Sequence, residues 1–150
     1  MGYRVVAISH GSSKHQFAQE LGAHEYIEST QGDAAKQLQA MGGAAMIVAT
    51  APHAQSISPL LYGLQPRGHL LVLSPIGNIE VDTNFLVHYG ATVSSYPSGH
   101  ALDSEEALAF TQLHGVKCLV EPFPLKDAQK AFDHMASGKV RFRSVLVMDK

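Results

Sequence analysis

One cysteine stands in 150 residues, Cys118, so neither an intrachain disulfide nor a cysteine-based zinc site can be assembled from this sequence. That scarcity makes an intracellular, cytoplasmic setting the default expectation. Cations are sparse too: 11 Lys and Arg against 13 Asp and Glu give a formal net charge of -2, with no basic cluster. Binding to a phosphate backbone needs clustered cations, so nucleic acid is not expected as a partner. Long apolar runs are also missing. "AAMIVATA" and "HLLVLS" fall far short of the roughly 20 residues that cross a bilayer. "MGYRVV" has neither the basic lead nor the apolar core of a signal peptide, and no membrane partner is expected.

What is present is a chain with 45% hydrophobic residues and mixed charge, which suits one globular domain over residues 1–150 with a real core. Apolar runs recur at Tyr3–Ser9, Ala44–Thr50, His69–Ser74 and Ser144–Met148. They read as continuous rather than alternating, which predicts parallel strands buried on both faces. Weaker strands are predicted at Glu25–Ile27, Thr92–Tyr96 and Lys117–Glu121, where Cys118 reads as a small buried hydrophobe. Helical patterns fill the intervals at Ser13–Leu21, Asp33–Met41, Ala54–Leu64, Ser104–His114 and Lys126–Ser137. Gly22, Gly42, Gly115 and Gly138 are placed to end four of them in the left-handed conformation, while Pro59 threatens to break the third. Strand and helix thus alternate throughout, which predicts a doubly wound α/β sheet.

The succession "YRVVAIS", "ELGAHEYI", "GGAAMIVATAP", "LLYGLQPRGHLLVLSPIG", "SGHALDSEEALAF" and "MASGKVRFRSVLVM" resembles the second half of a zinc-type alcohol dehydrogenase, of the medium-chain dehydrogenase/reductase superfamily. The likeness covers essentially the whole chain. It implies a Rossmann fold that binds a nicotinamide cofactor, with the catalytic zinc and most of the substrate pocket supplied by a separate domain that these residues do not include. It also implies that the first Rossmann strand and helix lie upstream of Met1, since no G-x-G-x-x-G occurs here. Their absence should leave a gap between "RVVAIS" and "MIVAT", with apolar strand edges that invite pairing with another chain. A homo-oligomer is the expected consequence.

The same resemblance directs attention to the loop after the strand "RVVAIS". In dinucleotide-binding folds an acid at this strand end accepts the ribose hydroxyls and selects NAD. Here Ser9 occupies that place, followed by His10, Gly11, Ser12, Ser13 and Lys14, with no carboxylate before Glu20. Hydroxyls and a cation at a helix start suit an anion, so the loop reads as a 2′-phosphate site that favours NADP(H) over NAD(H). The competing reading has Ser12 or Ser13 capping the helix and Lys14 as a surface charge.

Family position further assigns Ala49, Thr50 and Ala51 in "VATAP", and Leu73, Ser74 and Pro75 in "VLSPIG", to the nicotinamide end of the cofactor. Ser98 and Gly99, in the loop before the helix of "ALDSEEALAF", approach it in the family as well. Arg143 matches the family arginine that reaches the cofactor phosphates, although the neighbouring Arg141 competes for the role and either could pair with Asp133 or Glu121. The acids Asp103, Glu105 and Glu106 read as helix-start residues, with Asp103 or Ser104 as the N-cap and Ala107, Leu108 and Phe110 facing inward.

Nine histidines are scattered without the H-x-x-x-H spacing that sets two imidazoles on one helical face, so no metal site is assigned; His10, beside the phosphate loop, could assist it when protonated. No G-x-S-x-G elbow is present, which argues against a serine hydrolase. The reading is therefore the cofactor-binding part of a zinc-type dehydrogenase or aldehyde reductase. Such an enzyme moves hydride between NADP(H) and an alcohol or carbonyl compound, and this part alone should be inactive. The competing reading is a non-enzymatic remnant that self-associates through its strand edges.

Overall fold

Short apolar strands followed by helices recur along the chain in a computed structural model that describes residues 2–97 and 99–148. They divide into two compact units, Met1–Pro97 and Ser98–Lys150. The first contains β1 (Val6–Ser9), α1 (His15–Glu20), β2 (Glu25–Glu28), α2 (Ala34–Ala40), β3 (Ala44–Ala49), α3 (Ala54–Ile57), β4 (Leu64–Val72), α4 (Thr83–Tyr89) and β5 (Thr92–Ser95). The second contains α5 (Ala101–His114), β6 (Val120–Pro124), α6 (Ala128–Ala136) and β7 (Arg143–Val147). All strand pairs are parallel, as the α/β reading requires: β1 with β2, β3 with β4, β4 with β5, and β6 with β7.

The expected gap is present. β1 and β3 belong to different sheets, and among the described residues neither pairs with a strand along its other edge. Strand β3 consequently departs from the expectation of burial on both faces. Ile47 and Ala49 are buried, whereas the alternate side chains Met46 and Val48 are 54% and 52% exposed. The period-2 geometry of a strand sends these two sets to opposite faces, and only one face is covered.

The core of the first unit gathers Ile27 of β2, Leu38 of α2, Ile47 of β3, Ile57 of α3, and Leu64 and Leu70 of β4, together with Leu61. Pro59 does interrupt its helix: α3 stops at Ile57 and a 3₁₀ stretch carries the chain from Ser58 to Gly63. Gly63 then passes so close to α2 that a Cβ there would lie 2.7 Å from Leu38 Cδ1. Strand β4 begins at Leu64 rather than His69, because the turn around Arg67 (φ 61°) shifts the register without ending the strand.

Helix α4 is an element the sequence patterns missed. Asp82 caps it by accepting hydrogen bonds from the Asn84 and Phe85 N–H groups at 2.9 and 3.4 Å, and Gly90 closes it in the left-handed conformation. Tyr62 donates to the other Asp82 oxygen at 3.2 Å. Desolvation raises the Tyr62 hydroxyl above its ordinary range, and the hydrogen bond to Asp82 and the charges of Asp82 and Glu80 push the same way.

The second unit departs most from the sequence expectations. Helix α5 starts at Ala101, with His100 as N-cap and Asp103 at the third helical position, where its carboxylate accepts the His100 N–H. Neither Asp103 nor Ser104 is therefore the N-cap. No residue of α5 is buried, so Ala107, Leu108 and Phe110 do not face a core; Leu108 is 70% exposed. Its apolar residues lie around the helix rather than in one stripe, which leaves no single face to bury. Cys118 is exposed and precedes β6, which begins only at Val120. Glu121 fastens this unit: its carboxylate accepts the Arg141 N–H at 2.6 Å and contacts His134 Nε2 of α6 at 2.6 Å. The Arg141 backbone bond, aided by the His134 hydrogen bond and the charges of His134 and Arg141, holds the Glu121 carboxyl below the usual range despite opposing desolvation.

Candidate functional site

Parallel strands deliver their carboxyl ends to one edge of a sheet, and the candidate residues of the first unit sit at such ends. Ser9 is the last residue of β1, and Gly11 (φ 77°) turns the chain into a 3₁₀ turn over Ser12–Lys14 that runs on into α1. Lys14 folds back so that Nζ lies 3.4 Å from Ser9 Oγ. No side chain caps either the turn or α1, so the Ser12 and Ser13 hydroxyls are not spent on the helix start, and both residues are exposed. The loop rests on β2. Tyr26 Oη donates to the Gly11 carbonyl at 2.6 Å, and the His15 ring stacks on the Tyr26 ring at 5.1 Å, 16° from parallel. His10 is exposed beside this loop.

The second group lies at the ends of β3 and β4. Leu73 donates its N–H to the Ala49 carbonyl at 3.0 Å, and Ser74 Oγ donates to the Thr50 carbonyl at 2.9 Å, so Ala49–Thr50 and Leu73–Ser74 form one edge. Ser74 and Pro75 also line an open depression of about 430 Å³ that is completed by Val72, Ile76, Gly77, Ile79, Val93, Ser94 and Ser95. Its lining is therefore mostly apolar, with Ser74, Ser94 and Ser95 among it. Ala51 follows Thr50 in the exposed connection to α3. His69 on β4 is hydrogen-bonded to Ser94 on β5 at 2.7 Å, which ties the two strands that shape this depression.

The remaining predicted residues lie in the second unit or outside the described set. Ser98 lies outside the described residues. Gly99 is next to Asp103, where a Cβ would come within 2.7 Å of the Asp103 Cβ. Arg143 opens β7 and is exposed, and Arg141 donates its backbone N–H to Glu121. Among the described residues no three His, Cys, Asp or Glu side chains converge as metal ligands. No described helix is long and apolar enough to cross a membrane.

Residue-by-residue reading of the loop missed Tyr26 and Glu28. Both belong to β2, whose sequence "EYIE" pairs in register with "VAIS" of β1. The signal was available in that pairing: a strand adjacent to β1 must place its own end beside Ser9.

Comparison with known proteins agrees with this architecture. A family model described as "Zinc-binding dehydrogenase" matches residues 1–120. The alcohol dehydrogenase patD of Penicillium expansum is 53% identical over 147 residues, and the alcohol dehydrogenase notN of an Aspergillus species is 52% identical over 149. These alignments take in 98% and 99% of this chain but only 43% and 44% of the relatives, so the chain spans less than half their length. Among solved structures, a cinnamyl alcohol dehydrogenase of Sorghum bicolor superposes with a TM-score of 0.81 at 27% identity, over 97% of this chain and 41% of that one. An alcohol dehydrogenase zinc-binding domain protein of Burkholderia ambifaria gives 0.85 at 23% identity, over 97% and 42%, which shows the shared fold.

Proposed function

This chain belongs to the zinc-binding dehydrogenase family, and from that premise we propose that it is a cofactor-binding part that takes NADP(H) in preference to NAD(H). The observation that carries the reading is the end of β1. Lys14 Nζ lies against Ser9 Oγ, with two exposed serine hydroxyls that no helix cap consumes. A 2′-phosphate is an anion with several acceptor oxygens, and this loop offers it a cation and hydroxyl donors without requiring rearrangement of the strands. At the other end, the joined edge of Ala49–Thr50 and Leu73–Ser74 and the apolar depression beside it suit the flat nicotinamide ring. Arg143 is the residue we assign to the cofactor phosphates, since a guanidinium presents a fixed fork of donors.

The nicotinamide, when bound, supplies or accepts the hydride exchanged with an alcohol or aldehyde in the whole enzyme. The residues here orient the cofactor and hold its charges. Among the described residues no three His, Cys, Asp or Glu side chains converge as metal ligands, and the zinc chemistry is assigned to the part of the enzyme that these residues do not include. The chain alone is accordingly expected to bind cofactor without turning over an alcohol, and a cytoplasmic setting belongs to the same proposal.

Titration of the chain with NADPH and NADH, followed by cofactor fluorescence, tests this reading. Saturable binding of NADPH over NADH is expected. Lys14→Glu should weaken NADPH by about ten- to hundredfold, the range of one lost charge-assisted bond, while leaving NADH nearly unchanged. Equal binding of the two cofactors, or a Lys14→Glu chain that binds NADPH as well as the parent, refutes the assignment.

A second reading is favoured by the unpaired edges of β1 and β3 and the exposed side chains of Met46 and Val48. Such edges template pairing with another copy, and the chain would then act chiefly as a self-associating remnant. Sedimentation across micromolar concentrations separates the alternatives. Dimers or higher species that Val48→Lys converts to monomer support self-association, whereas a monomer throughout removes it.

A further inference from the structure

The end of β1 carries Ser9 and no acid, yet the β1–β2 pairing supplies one from the neighbouring strand. Ser9 and Glu28 are register partners at the carboxyl ends of their strands. In a parallel ladder the strands lie about 4.8 Å apart and partnered side chains leave the sheet on the same face. Glu28 therefore departs beside Ser9, the residue that Lys14 Nζ approaches at 3.4 Å. One Glu28 oxygen accepts a hydrogen bond from Thr30 Oγ1 at 2.8 Å, which steadies the carboxylate. Among the described residues no cation pairs with Glu28, and Lys14 remains available to an external anion.

We propose that Glu28 is a specificity-determining residue of the adenosine site, a cross-strand acid that accepts a ribose hydroxyl of bound NAD(H) and opposes the 2′-phosphate of NADP(H). The proposal rests on the reading of the β1 loop given under Proposed function. It divides the site into two opposed parts. Ser9, Ser12, Ser13 and Lys14 attract the 2′-phosphate, and Glu28 repels it. The net preference is then the difference between those two contributions rather than the output of the loop alone. An acid at the β1 end does this work in one residue; here the neighbouring strand provides the carboxylate and β1 provides the hydroxyl.

The test uses the full chain and its Glu28→Gln, Glu28→Asp and Lys14→Glu variants, each titrated with NADPH and NADH at low and high salt. Glu28→Gln keeps the shape and the Thr30 contact while removing the charge. It should raise the ratio of NADPH to NADH affinity by about three- to tenfold, and by less at high salt, where an exposed charge is screened. Glu28→Asp should keep the parent ratio, which a loss of fold would not. Adenosine 2′-phosphate and adenosine 5′-phosphate, followed through the Ser9–Lys14 amide resonances, give the same comparison if the dinucleotides bind too weakly to measure.

The outcomes separate the two claims. A parent chain that prefers the 2′-phosphorylated ligand, with a ratio that Glu28→Gln leaves unchanged, overturns the role of Glu28 and keeps the loop. A parent without that preference in which Glu28→Gln creates one refutes the stated preference and supports Glu28. If neither chain discriminates with either ligand pair, both claims are overturned.

Discussion

Truncating Leu70 should cost more than any comparable change on the surface, because Leu70 joins the strands that present the Ala49–Thr50 and Leu73–Ser74 edge. It is 1% exposed, pairs in register with Ile47 of β3 on one side and Val93 of β5 on the other, and belongs to the core cluster of the first unit. Leu70→Ala removes three buried carbons, a transfer loss of about 2.4 kcal/mol at about 0.8 kcal/mol per group. The surrounding strands are fixed by their ladders and collapse little, so a cavity contribution brings the total to about 3–4 kcal/mol. Leu108→Ala removes the same atoms from an exposed site on α5 and should change stability by less than about 0.5 kcal/mol. Urea denaturation followed by circular dichroism, with amide exchange at Ile47 and Leu71 as the local readout, makes the comparison. A Leu70→Ala cost below about 1 kcal/mol, or one equal to that of Leu108→Ala, would refute the placement of the core.

Asp82→Ala should destabilise α4 by about 1 kcal/mol through loss of its N-cap, measured by the urea midpoint. The same change removes a hydrogen bond and a charge that raise the Tyr62 hydroxyl, so Tyr62 should titrate at lower pH in ring-carbon NMR. For Glu121 the native carboxyl titrates below its unfolded value, so its contribution is complete above the unfolded pKa and is lost as pH falls through the native one. The parent should therefore lose stability on the acid side more steeply than Glu121→Gln, and parallel acid limbs in the two urea-midpoint profiles would count against the Arg141 and His134 contacts.

Alternation of strand and helix was legible because it rests on local signals. The glycines at 22, 42, 115 and 138 all adopt positive φ, and Pro59 breaks its helix where its missing N–H demands. Helix α4 escaped because "TNFLVHY" is short and polar at both ends, although Asp82 before it and Gly90 after it mark its limits. Burial was less legible than element type. Continuous apolar runs predicted strands covered on both faces, but covering depends on which elements pack against them, and β3 has only one covered face. Cys118 and the apolar residues of α5 failed for the same reason: hydrophobicity names residues that could be buried, and packing decides which are. The site divided similarly. Ser9 and Lys14 are five residues apart and readable together, whereas Glu28 meets Ser9 only through strand register, a property of two segments at once.

That division has a physical consequence for how the two ends of the candidate site respond to damage. The loop after β1 is held by the β1–β2 ladder and by Tyr26 reaching the Gly11 carbonyl, a part-buried bond independent of β3. The β3–β4 edge is held by Ile47 and Leu70 in register beneath it and by Ser74 donating to Thr50 at its end. No strand pairing connects β1 with β3 among the described residues, so the backbone provides no ladder through which strain at one end would reach the other. Leu70→Ala should therefore loosen Thr50 and Ser74, seen as faster amide exchange at Leu73, more than it loosens the Ser12–Lys14 amides, which it reaches only through the shared side-chain core. Lys14→Glu should do the reverse, changing the response to a 2′-phosphate without altering exchange at Leu73. If either substitution moves both ends to the same extent, the two strand groups share more of their stability than their separate ladders allow.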